Sequence, residues 1–582
     1  MRRCAAVCVC LAIFGVLVSG QFLRQRIDPK ADPNAFKIVT QANLDEAMTR
    51  IARLKSQLTK TDDPEEREFL ITAILELCQD QLNEDRNESG VIVVERTDLT
   101  FDDDPRENVY DLPIRWQGAF YAVEDEIRSL GTEGLEMYEK IYGPRASLLL
   151  KQAIETRQRE RIQYLNRRFG LTKAGIRAGA LLATMYWEEG KVSPAARCLE
   201  RVMSMANLLS ADERAHYSAW LAHCYRDLGE RANLVRLIEQ SVDLRQHEVD
   251  AGAGKAKLGA LLDAQLAAAR DATADTIDTL GVEWVGGNYT NTGLHERPSD
   301  FSRTAWSKRL PGLEAKAVWN KFMNYPSPIV PPYLPIYDGN MFYVNTGDRL
   351  AAYDLVGPSG DDPSWVCKPF RTNDSNWRSI EPDPGMILPV SMYRGTVYTA
   401  IENPLSTTYH DPNPDRMFHL WSHYPKVRRA LCAVDGSTGR LLWKIGGQYE
   451  GSDDETTNFL SAVVHDGTLY AIASRVRGQA EVFLYALNPD TGEVLWNLRL
   501  CYGQQETTMF GRPAREPHPS LPAIAAGRLY LCTNIGGVVS VDLATRSLNW
   551  ISRYEYMPRP ITKYTETYYR DVTWYNSPTI YT

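Results

Sequence analysis

A short pattern that recurs along the carboxy-terminal half constrains the fold of this chain most strongly. It occupies residues 433–443 and returns, almost unchanged, at residues 486–496. A weaker copy ends at Trp550, and a fourth begins at Ala352 with a longer turn before its tryptophan. An Asp or Asn that accepts hydrogen bonds from turn amides, followed by a Gly suited to positive φ, is typical of a tight hairpin. The pattern therefore predicts a repeated β-unit that is closed by a tryptophan.

A second pattern contains a turn glycine and an alternating strand that carries an aromatic residue at a fixed place. Its copies start at Gly339, Gly395, Gly467 and Gly527. We expect the small residue of the first pattern, such as Ala433, to leave room for the tryptophan of a neighbouring sheet, which buries roughly 150–250 Å² of aromatic surface. Because every unit repeats the same contact between sheets, radial blades around an axis are favoured over a sandwich.

Residues 433–443 resemble the tryptophan-docking motif of pyrroloquinoline quinone (PQQ)-type propeller repeats at every defining position. Residues 486–496 depart from that motif only by Asn488 in place of Asp. The resemblance implies a PQQ-like β-propeller over residues 276–582, with about four blades and the start of a fifth. Since propellers of this family close with more blades, the sequence is expected to be incomplete at its carboxy terminus.

Helical periodicity dominates the amino-terminal half of the chain. Apolar residues spaced by three and four from Leu44 onward predict an amphipathic helical stretch over residues 43–81. The β-branched run Val91–Val94 predicts a short strand, so residues 21–110 are expected to form a helical region with one short strand. Helical periodicity then resumes near Trp116 and continues, with interruptions, to about Ala272.

Residues 111–275 contain an internal repeat with a constant offset. Leu182, Ala183, Tyr186 and Gly190 recur 39 positions later as Leu221, Ala222, Tyr225 and Gly229. Leu and Ala let a first helix pack closely against a second, and Gly permits the positive φ that ends the first helix. The segment resembles tetratricopeptide (TPR) repeats, although its spacing exceeds the usual ~34 residues, and a helical hairpin array without that ancestry is the alternative. The expected fold class is thus multidomain, with α-helical repeats followed by an all-β propeller.

Residues 1–20 have the composition of a signal peptide. Arg2 and Arg3 precede an apolar run, and small residues lead to an expected cleavage site before Gln21. The apolar run is shorter than the roughly 20 residues that span a bilayer, and an uncleaved signal anchor is the alternative. No other stretch is predicted to be transmembrane, so the mature chain is expected in the periplasm or cell envelope.

Charge and cysteine content exclude several classes of protein. The 65 basic and 74 acidic residues give a net charge of -9, which lacks the basic excess that nucleic-acid binding requires. Seven cysteines lie beyond residue 20 without C-x-x-C spacing, so neither a zinc site nor a redox motif is indicated. Buried thiols are predicted, and one or two disulfides of unknown pairing are the alternative.

No segment predicts a catalytic, cofactor-binding or metal site. The polar insertion His410–His423 has His419 and His423 four residues apart, but no Glu follows His419 as it does in zinc proteases, and Arg416 stands where a calcium loop needs Gly. A solvated loop is predicted there. Ser437 lies between glycines but lacks the strand–turn–helix context of a nucleophile, so it is interpreted as part of a structural turn.

Two classes of function are consistent with these patterns. The first is a non-catalytic envelope scaffold whose helical repeats and propeller bind other envelope proteins, as resemblance to the propeller lipoprotein of the outer-membrane barrel-assembly machinery implies. The second is a PQQ-dependent dehydrogenase, since its blades carry the same motif. Some of those enzymes hold the quinone against two adjacent cysteines and use calcium, but no two cysteines beyond residue 20 are adjacent here. The scaffold without PQQ or calcium is therefore predicted.

Overall fold

The computed structural model shows ten α-helices followed by four sheets of four antiparallel strands within the residues that it describes. Those residues are 36–37, 42–99, 110–156, 158–250, 254–275, 317–319, 326–328, 333–338, 341–354, 362–370, 388–403, 429–447, 457–476, 480–503, 521–533 and 536–553. The predicted signal peptide and the His410–His423 insertion lie outside them.

The helices occupy the amino-terminal half. They are α1 (Ala42–Leu58), α2 (Pro64–Asn83), α3 (Ala119–Arg128), α4 (Gly131–Thr156), α5 (Arg159–Arg168), α6 (Lys173–Glu188), α7 (Val192–Met203), α8 (Ala211–Asp227), α9 (Arg231–Gln240) and α10 (Leu258–Asp275). The predicted helical stretch at 43–81 is thus confirmed as two helices. Asp63 accepts a hydrogen bond from the amide of Glu65, and Pro64 begins α2, which explains the break between them.

The internal repeat of the sequence corresponds to two helix pairs, α6–α7 and α8–α9. All of the matched Leu, Ala and Tyr side chains are buried in one apolar core, which extends from α4 to α10. The two matched glycines, Gly190 and Gly229, have φ of 73° and 68° at the ends of α6 and α8. Their predicted role in ending the first helix of each pair is confirmed. None of the described helices is both long and apolar enough to cross a membrane.

Short strands precede, interrupt and follow the helices. They are β1 (Phe36–Lys37), β2 (Val91–Leu99), β3 (Tyr110–Gly118), β4 (Glu248–Asp250), β5 (Lys255–Lys257), β6 (Ala317–Trp319), β7 (Pro326–Pro328) and β8 (Tyr333–Leu334). The strand predicted at Val91–Val94 is confirmed and is longer than expected. The helix expected from near Trp116 is wrong, because Trp116 belongs to β3 and α3 starts at Ala119.

Four sheets form the carboxy-terminal half, and each is an antiparallel meander. Sheet I contains β9 (Ile336–Asp338), β10 (Met341–Asn345), β11 (Leu350–Asp354) and β12 (Trp365–Cys367), and sheet II contains β13 (Leu388–Tyr393), β14 (Thr396–Glu402), β15 (Arg429–Asp435) and β16 (Leu441–Gly446). Sheet III contains β17 (Asn458–His465), β18 (Thr468–Val476), β19 (Ala480–Leu487) and β20 (Val494–Gly503), and sheet IV contains β21 (Ala523–Ala525), β22 (Arg528–Cys532), β23 (Gly537–Asp542) and β24 (Ser547–Arg553).

The first hairpin of sheets II, III and IV turns through a glycine preceded by another residue of positive φ. The pairs are Arg394–Gly395, Asp466–Gly467 and Ala526–Gly527, with φ between 47° and 76°. Two consecutive positive φ values are the geometry of a type I′ turn, whose twist matches that of the flanking strands. These first hairpins and the turns that join the third and fourth strands lie at the same end of each sheet.

Candidate interaction site at the junction of helices and sheets

In sheets I and II, the tryptophan of the fourth strand docks on the turn between the third and fourth strands of the next sheet. The indole N–H of Trp365 in sheet I donates to the carbonyl of Gly436 in sheet II at 3.1 Å. In the same way Trp443 of sheet II donates to the carbonyl of Pro489 in sheet III at 2.9 Å. Successive sheets are therefore joined by a repeated, directional contact.

The turn that receives the tryptophan is held by its own side chains. The carboxylate of Asp435 accepts hydrogen bonds from the Ser437 hydroxyl at 2.7 Å and from the Thr438 amide at 2.9 Å. These bonds lower the pKa of Asp435 to about 2, so the carboxylate stays ionised over the physiological range. Ser437 serves the turn, as predicted, and Asn488 replaces Asp435 in sheet III with equivalent amide bonds.

The structure corrects the role expected of the small residue in the motif. Ala433 lies directly opposite Trp443 of its own sheet, not beside the tryptophan of a neighbouring sheet. The residue that leaves room for a neighbouring tryptophan is the turn glycine, since a Cβ on Gly492 would lie 2.7 Å from the ring of Trp443. Trp443 and Trp496, which were expected to be buried, are partly buried. A ring that lies across a turn at the end of a sheet keeps one side near solvent.

Gly492→Ala should cost about 2 kcal/mol of unfolding free energy, because it combines an unfavourable positive φ with overlap on the Trp443 ring. Gly131→Ala is the matched control, since Gly131 has φ 69° and a Cβ there would meet nothing within 4 Å. That variant should cost about 1 kcal/mol, from the backbone alone. Urea titration of both variants measures the difference, and equal losses would contradict the docking of Trp443 on this glycine.

The turn between the third and fourth strands of sheet IV departs from this pattern. Arg546 occupies the position of Gly439 and Gly492 and keeps a left-handed φ of 57°. Its guanidinium carbon lies 6.0 Å from the centre of the Trp496 ring, within the range of a cation–π contact. The tryptophan of sheet III therefore meets a cation where its equivalents meet a glycine.

Segments of the amino-terminal half extend two of the sheets at their outer edges. Strand β3 pairs antiparallel with β24, with Gln117 opposite Trp550 and Trp116 opposite Ile551. Strand β2 pairs with β3, so sheet IV gains a two-stranded hairpin. The short β1 pairs with β20 of sheet III. Trp116 is buried in the apolar core that sheets III and IV share, so the hairpin belongs to that core.

Helices α3, α5 and α7 contact the turns of sheets III and IV, and we call this region the junction. The hydroxyl of Tyr121 in α3 donates to the Asp542 carboxylate of the sheet IV turn at 2.8 Å. Burial and then the nearby Asp542 raise the pKa of Tyr121, which keeps the hydroxyl protonated as a donor. Arg167 of α5 donates to the carbonyl of Thr545 in the same turn at 3.3 Å.

A turn of sheet III supplies a helix cap to the junction. The carboxylate of Asp466 accepts a hydrogen bond from the backbone amide of Ser193 in the first turn of α7. A carboxylate at this place satisfies an otherwise open amide and interacts favourably with the helix dipole. Burial raises the pKa of Asp466, while His465 and Lys191 oppose that rise. The capping group of α7 thus comes from more than 270 residues further along the chain.

Buried ion pairs lie on the helical side of the junction. Arg201 of α7 pairs with Glu124 of α3, whose side chain is 1% exposed. Arg197 of α7 pairs with Glu230 at 2.9 Å and with Glu200. Because removing one member of a buried pair leaves an uncompensated charge, these pairs fix the orientation of α7 against its neighbours.

A cavity of about 200 Å³ opens between α5 and the turn of sheet IV. Its lining consists of Glu160, Gln163, Tyr164, Arg167, Ala544, Thr545 and Arg546. No local sequence pattern predicts this cavity, because its two walls come from segments that are far apart in the chain. The local sequence feature that indicates this region is Arg546, which replaces the glycine found at the equivalent position of sheets II and III.

A buried polar cluster at the opposite end of the sheets was also missed. Arg429 and Glu402 form a buried ion pair at 3.4 Å, and the Arg429 amide donates to the Asn458 side chain at 3.1 Å. The side chain of Asn403 donates to the carbonyl of Gly447 at 2.6 Å. These polar groups hold strand ends of sheets II and III together, which is a structural role.

The cysteines and the candidate metal ligands are the remaining residues that the sequence singled out. Six cysteines are buried without a disulfide, as expected, namely Cys78, Cys198, Cys224, Cys367, Cys432 and Cys501, whereas Cys532 is exposed. Burial raises the pKa of Cys78 to about 12, which keeps its thiol protonated. Within the described ranges no three His, Cys, Asp or Glu residues are grouped as metal ligands. The His410–His423 insertion stays a prediction.

Comparison with known proteins bears on the sheets. A family model described as "Outer membrane protein assembly factor BamB" matches residues 424–573. Together with the tryptophan docking between sheets, this match shows that the chain carries PQQ-like repeats of the propeller type, as predicted. No curated protein sequence matches the chain.

Two solved structures illustrate the weak structural similarity that was found. BamB from Moraxella catarrhalis shares 12% identity at a TM-score of 0.20, over 38% of this chain and 56% of its own. Quinohemoprotein alcohol dehydrogenase from Comamonas testosteroni shares 14% identity at a TM-score of 0.28, over 54% of this chain and 44% of its own. The present chain thus spans about half the length of each protein.

Proposed function

We propose that this chain is a non-catalytic interaction scaffold of the bacterial cell envelope, with a signal peptide at residues 1–20. The observation that carries the proposal is the junction, where helices α3, α5 and α7 contact the turns of sheets III and IV and where the preceding β2–β3 hairpin completes sheet IV. A chain built in this way presents helices and sheets in a fixed relative position. Such an arrangement suits the simultaneous binding of protein partners.

The finer architecture belongs to the same proposal. Docking of Trp365 and Trp443 on the next sheet supports four blades of a β-propeller within residues 276–582. The equivalent helix pairs α6–α7 and α8–α9 support TPR-like repeats within residues 111–275, following a helical region over residues 21–110. Both architectures offer extended surfaces for protein partners.

Partners in the envelope are supported by the family match. The matched family is named for outer membrane protein assembly, and the net charge of -9 disfavours nucleic acid. We therefore propose other envelope proteins as partners of a periplasmic or envelope-bound chain that has no transmembrane segment after signal cleavage.

The absence of catalysis is part of the proposal and is supported by the use of the motif residues. Asp435, Ser437 and Thr438 bond to one another in the turn, and Trp443 is occupied in docking. These groups are therefore engaged within the turn and in the contact between sheets. We therefore propose that the chain uses neither PQQ nor calcium as a cofactor.

Calorimetry separates this proposal from a PQQ-dependent dehydrogenase. Titration of the full chain with PQQ, in the presence of calcium, should give no binding heat at micromolar concentration, and a dye-linked assay with alcohols should give no reduction. An authentic quinone-dependent alcohol dehydrogenase serves as the positive control. A dissociation constant in the micromolar range or tighter, with substrate-dependent dye reduction, would defeat the scaffold proposal.

A further inference from the structure

The turn of sheet IV keeps a backbone conformation that favours glycine while presenting a charged side chain. Arg546 has φ 57°, whereas its equivalents Gly439 and Gly492 have φ of 73° and 75°. A non-glycine residue in the left-handed region is destabilised by roughly 1–2 kcal/mol. The turn retains an arginine despite this cost, so the guanidinium is the feature that distinguishes sheet IV.

That guanidinium lines the cavity of about 200 Å³ between sheet IV and α5. The cavity is smaller than the roughly 300–1,000 Å³ that small-molecule and cofactor sites occupy. All of its lining residues except Ala544 have polar side chains. A single polar side chain fits these dimensions, whereas a cofactor does not.

The two arginines of the cavity differ in whether a carboxylate neutralises their charge. Arg167 already pairs with Glu88 and bonds to the carbonyl of Thr545. Arg546 has no carboxylate within ion-pair distance among the residues that the structure describes, and its neighbour is the ring of Trp496. Glu160, the remaining charged residue of the lining, is exposed. Among the described residues, the cavity therefore offers a cation, Arg546, that has no carboxylate as a partner.

We propose that this cavity receives an acidic side chain from a protein partner, with the carboxylate bound by Arg546 and Arg167. Two guanidinium groups, one on each wall of the cavity, provide the charge-assisted hydrogen bonds that carboxylates form most strongly. The inference rests on the proposed function, since it assigns a contact to the interaction scaffold. It identifies the junction as a docking surface for an acidic segment.

The probe is a blocked Gly-Glu-Gly peptide titrated against the full chain by ligand-observed NMR, with Gly-Gln-Gly, glutarate and inorganic phosphate as separate titrations. Arg546→Gly restores the residue found in the other turns and should fold at least as well. It should weaken Gly-Glu-Gly binding about tenfold, the equivalent of one charge-assisted bond. Arg394→Gly is the matched control, because Arg394 also has positive φ but lies in the first hairpin of sheet II. It should leave binding unchanged.

A second variant tests the effect of Glu160, the exposed acidic residue of the cavity lining. Glu160→Gln removes the acidic group of the lining and should tighten Gly-Glu-Gly binding about twofold, the scale of an exposed charge interaction. The proposal fails if Gly-Gln-Gly binds as tightly as Gly-Glu-Gly, if Arg394→Gly weakens binding as much as Arg546→Gly, or if the glutamate peptide does not bind. Binding of phosphate or glutarate more tightly than the peptide would assign the cavity to a free anion and also overturn it. Each of these failures leaves the calorimetric test with PQQ unaffected.

Discussion

Replacing Gly118 with alanine should detach the β2–β3 hairpin from sheet IV and lower the unfolding free energy by about 3 kcal/mol, the upper part of the range for overpacking. Gly118 is the last residue of β3, and a Cβ there would overlap the backbone carbonyl oxygen of Leu548 in the facing strand. A backbone carbonyl within a paired strand cannot move aside as a flexible side chain can. The added methyl group must therefore separate β3 from β24.

Hydrogen exchange identifies the strands in which the Gly118→Ala variant loses stability. In the Gly118→Ala variant, amides of β3 and β24 should exchange much faster, while those of sheets I and II stay protected. Arg115→Ala is the control, because Arg115 is an exposed residue of the same strand that faces Ser552. It should leave both exchange and stability close to those of the unaltered chain. Unchanged protection of β24 in Gly118→Ala would disprove the strand addition.

Trp443→Ala should cost about 3–4 kcal/mol, the lower part of the range for truncating a large buried aromatic, because the ring is only partly buried. The variant removes the hydrogen bond to Pro489 and the packing over Gly492. Tyr398 also donates to the Pro489 carbonyl, at 3.2 Å, so that acceptor keeps one partner. The loss of unfolding free energy therefore comes mainly from the docking of the ring, because the Pro489 carbonyl is not left without a hydrogen bond.

The neighbouring Leu442 provides the comparison for this variant. Its side chain is 42% exposed on the same strand, and Leu442→Ala should cost less than 1 kcal/mol, since little apolar surface leaves water there. Guanidinium titration followed by circular dichroism gives both values. A loss below about 1 kcal/mol for Trp443→Ala would exclude the residue as a docking element, given the range for buried aromatics.

The sequence predicted those parts of the fold whose physical cause is local. The turn bonds of Asp435 and the helix ends at Gly190 and Gly229 are decided within a few residues, so their patterns were sufficient. The tryptophan motif also predicted that sheets dock on one another. The role given to Ala433 was wrong because the register that places it opposite Trp443 depends on pairing between two strands.

The junction could not be predicted for the same reason. Trp116 was assigned to the start of a helical region, since nothing near it in sequence indicates that its partner strand lies at Ser547–Arg553. The role of Arg546 could not be predicted either, because it depends on the ring of Trp496 and on α5. Contacts between distant segments leave few local signals.

The hairpin that completes sheet IV has a consequence for the order of events during synthesis. Tyr121, just after the hairpin, bonds to Asp542, 421 residues further along the chain. At a translation rate of about 5–20 residues per second, roughly 20–85 s separate the appearance of these two residues. Throughout that interval β3 is paired with β2 but lacks β24 on its other edge, and unpaired strand edges invite association with other chains. We therefore expect the exposed edge of β3 to be covered only after the last strand of sheet IV has been made.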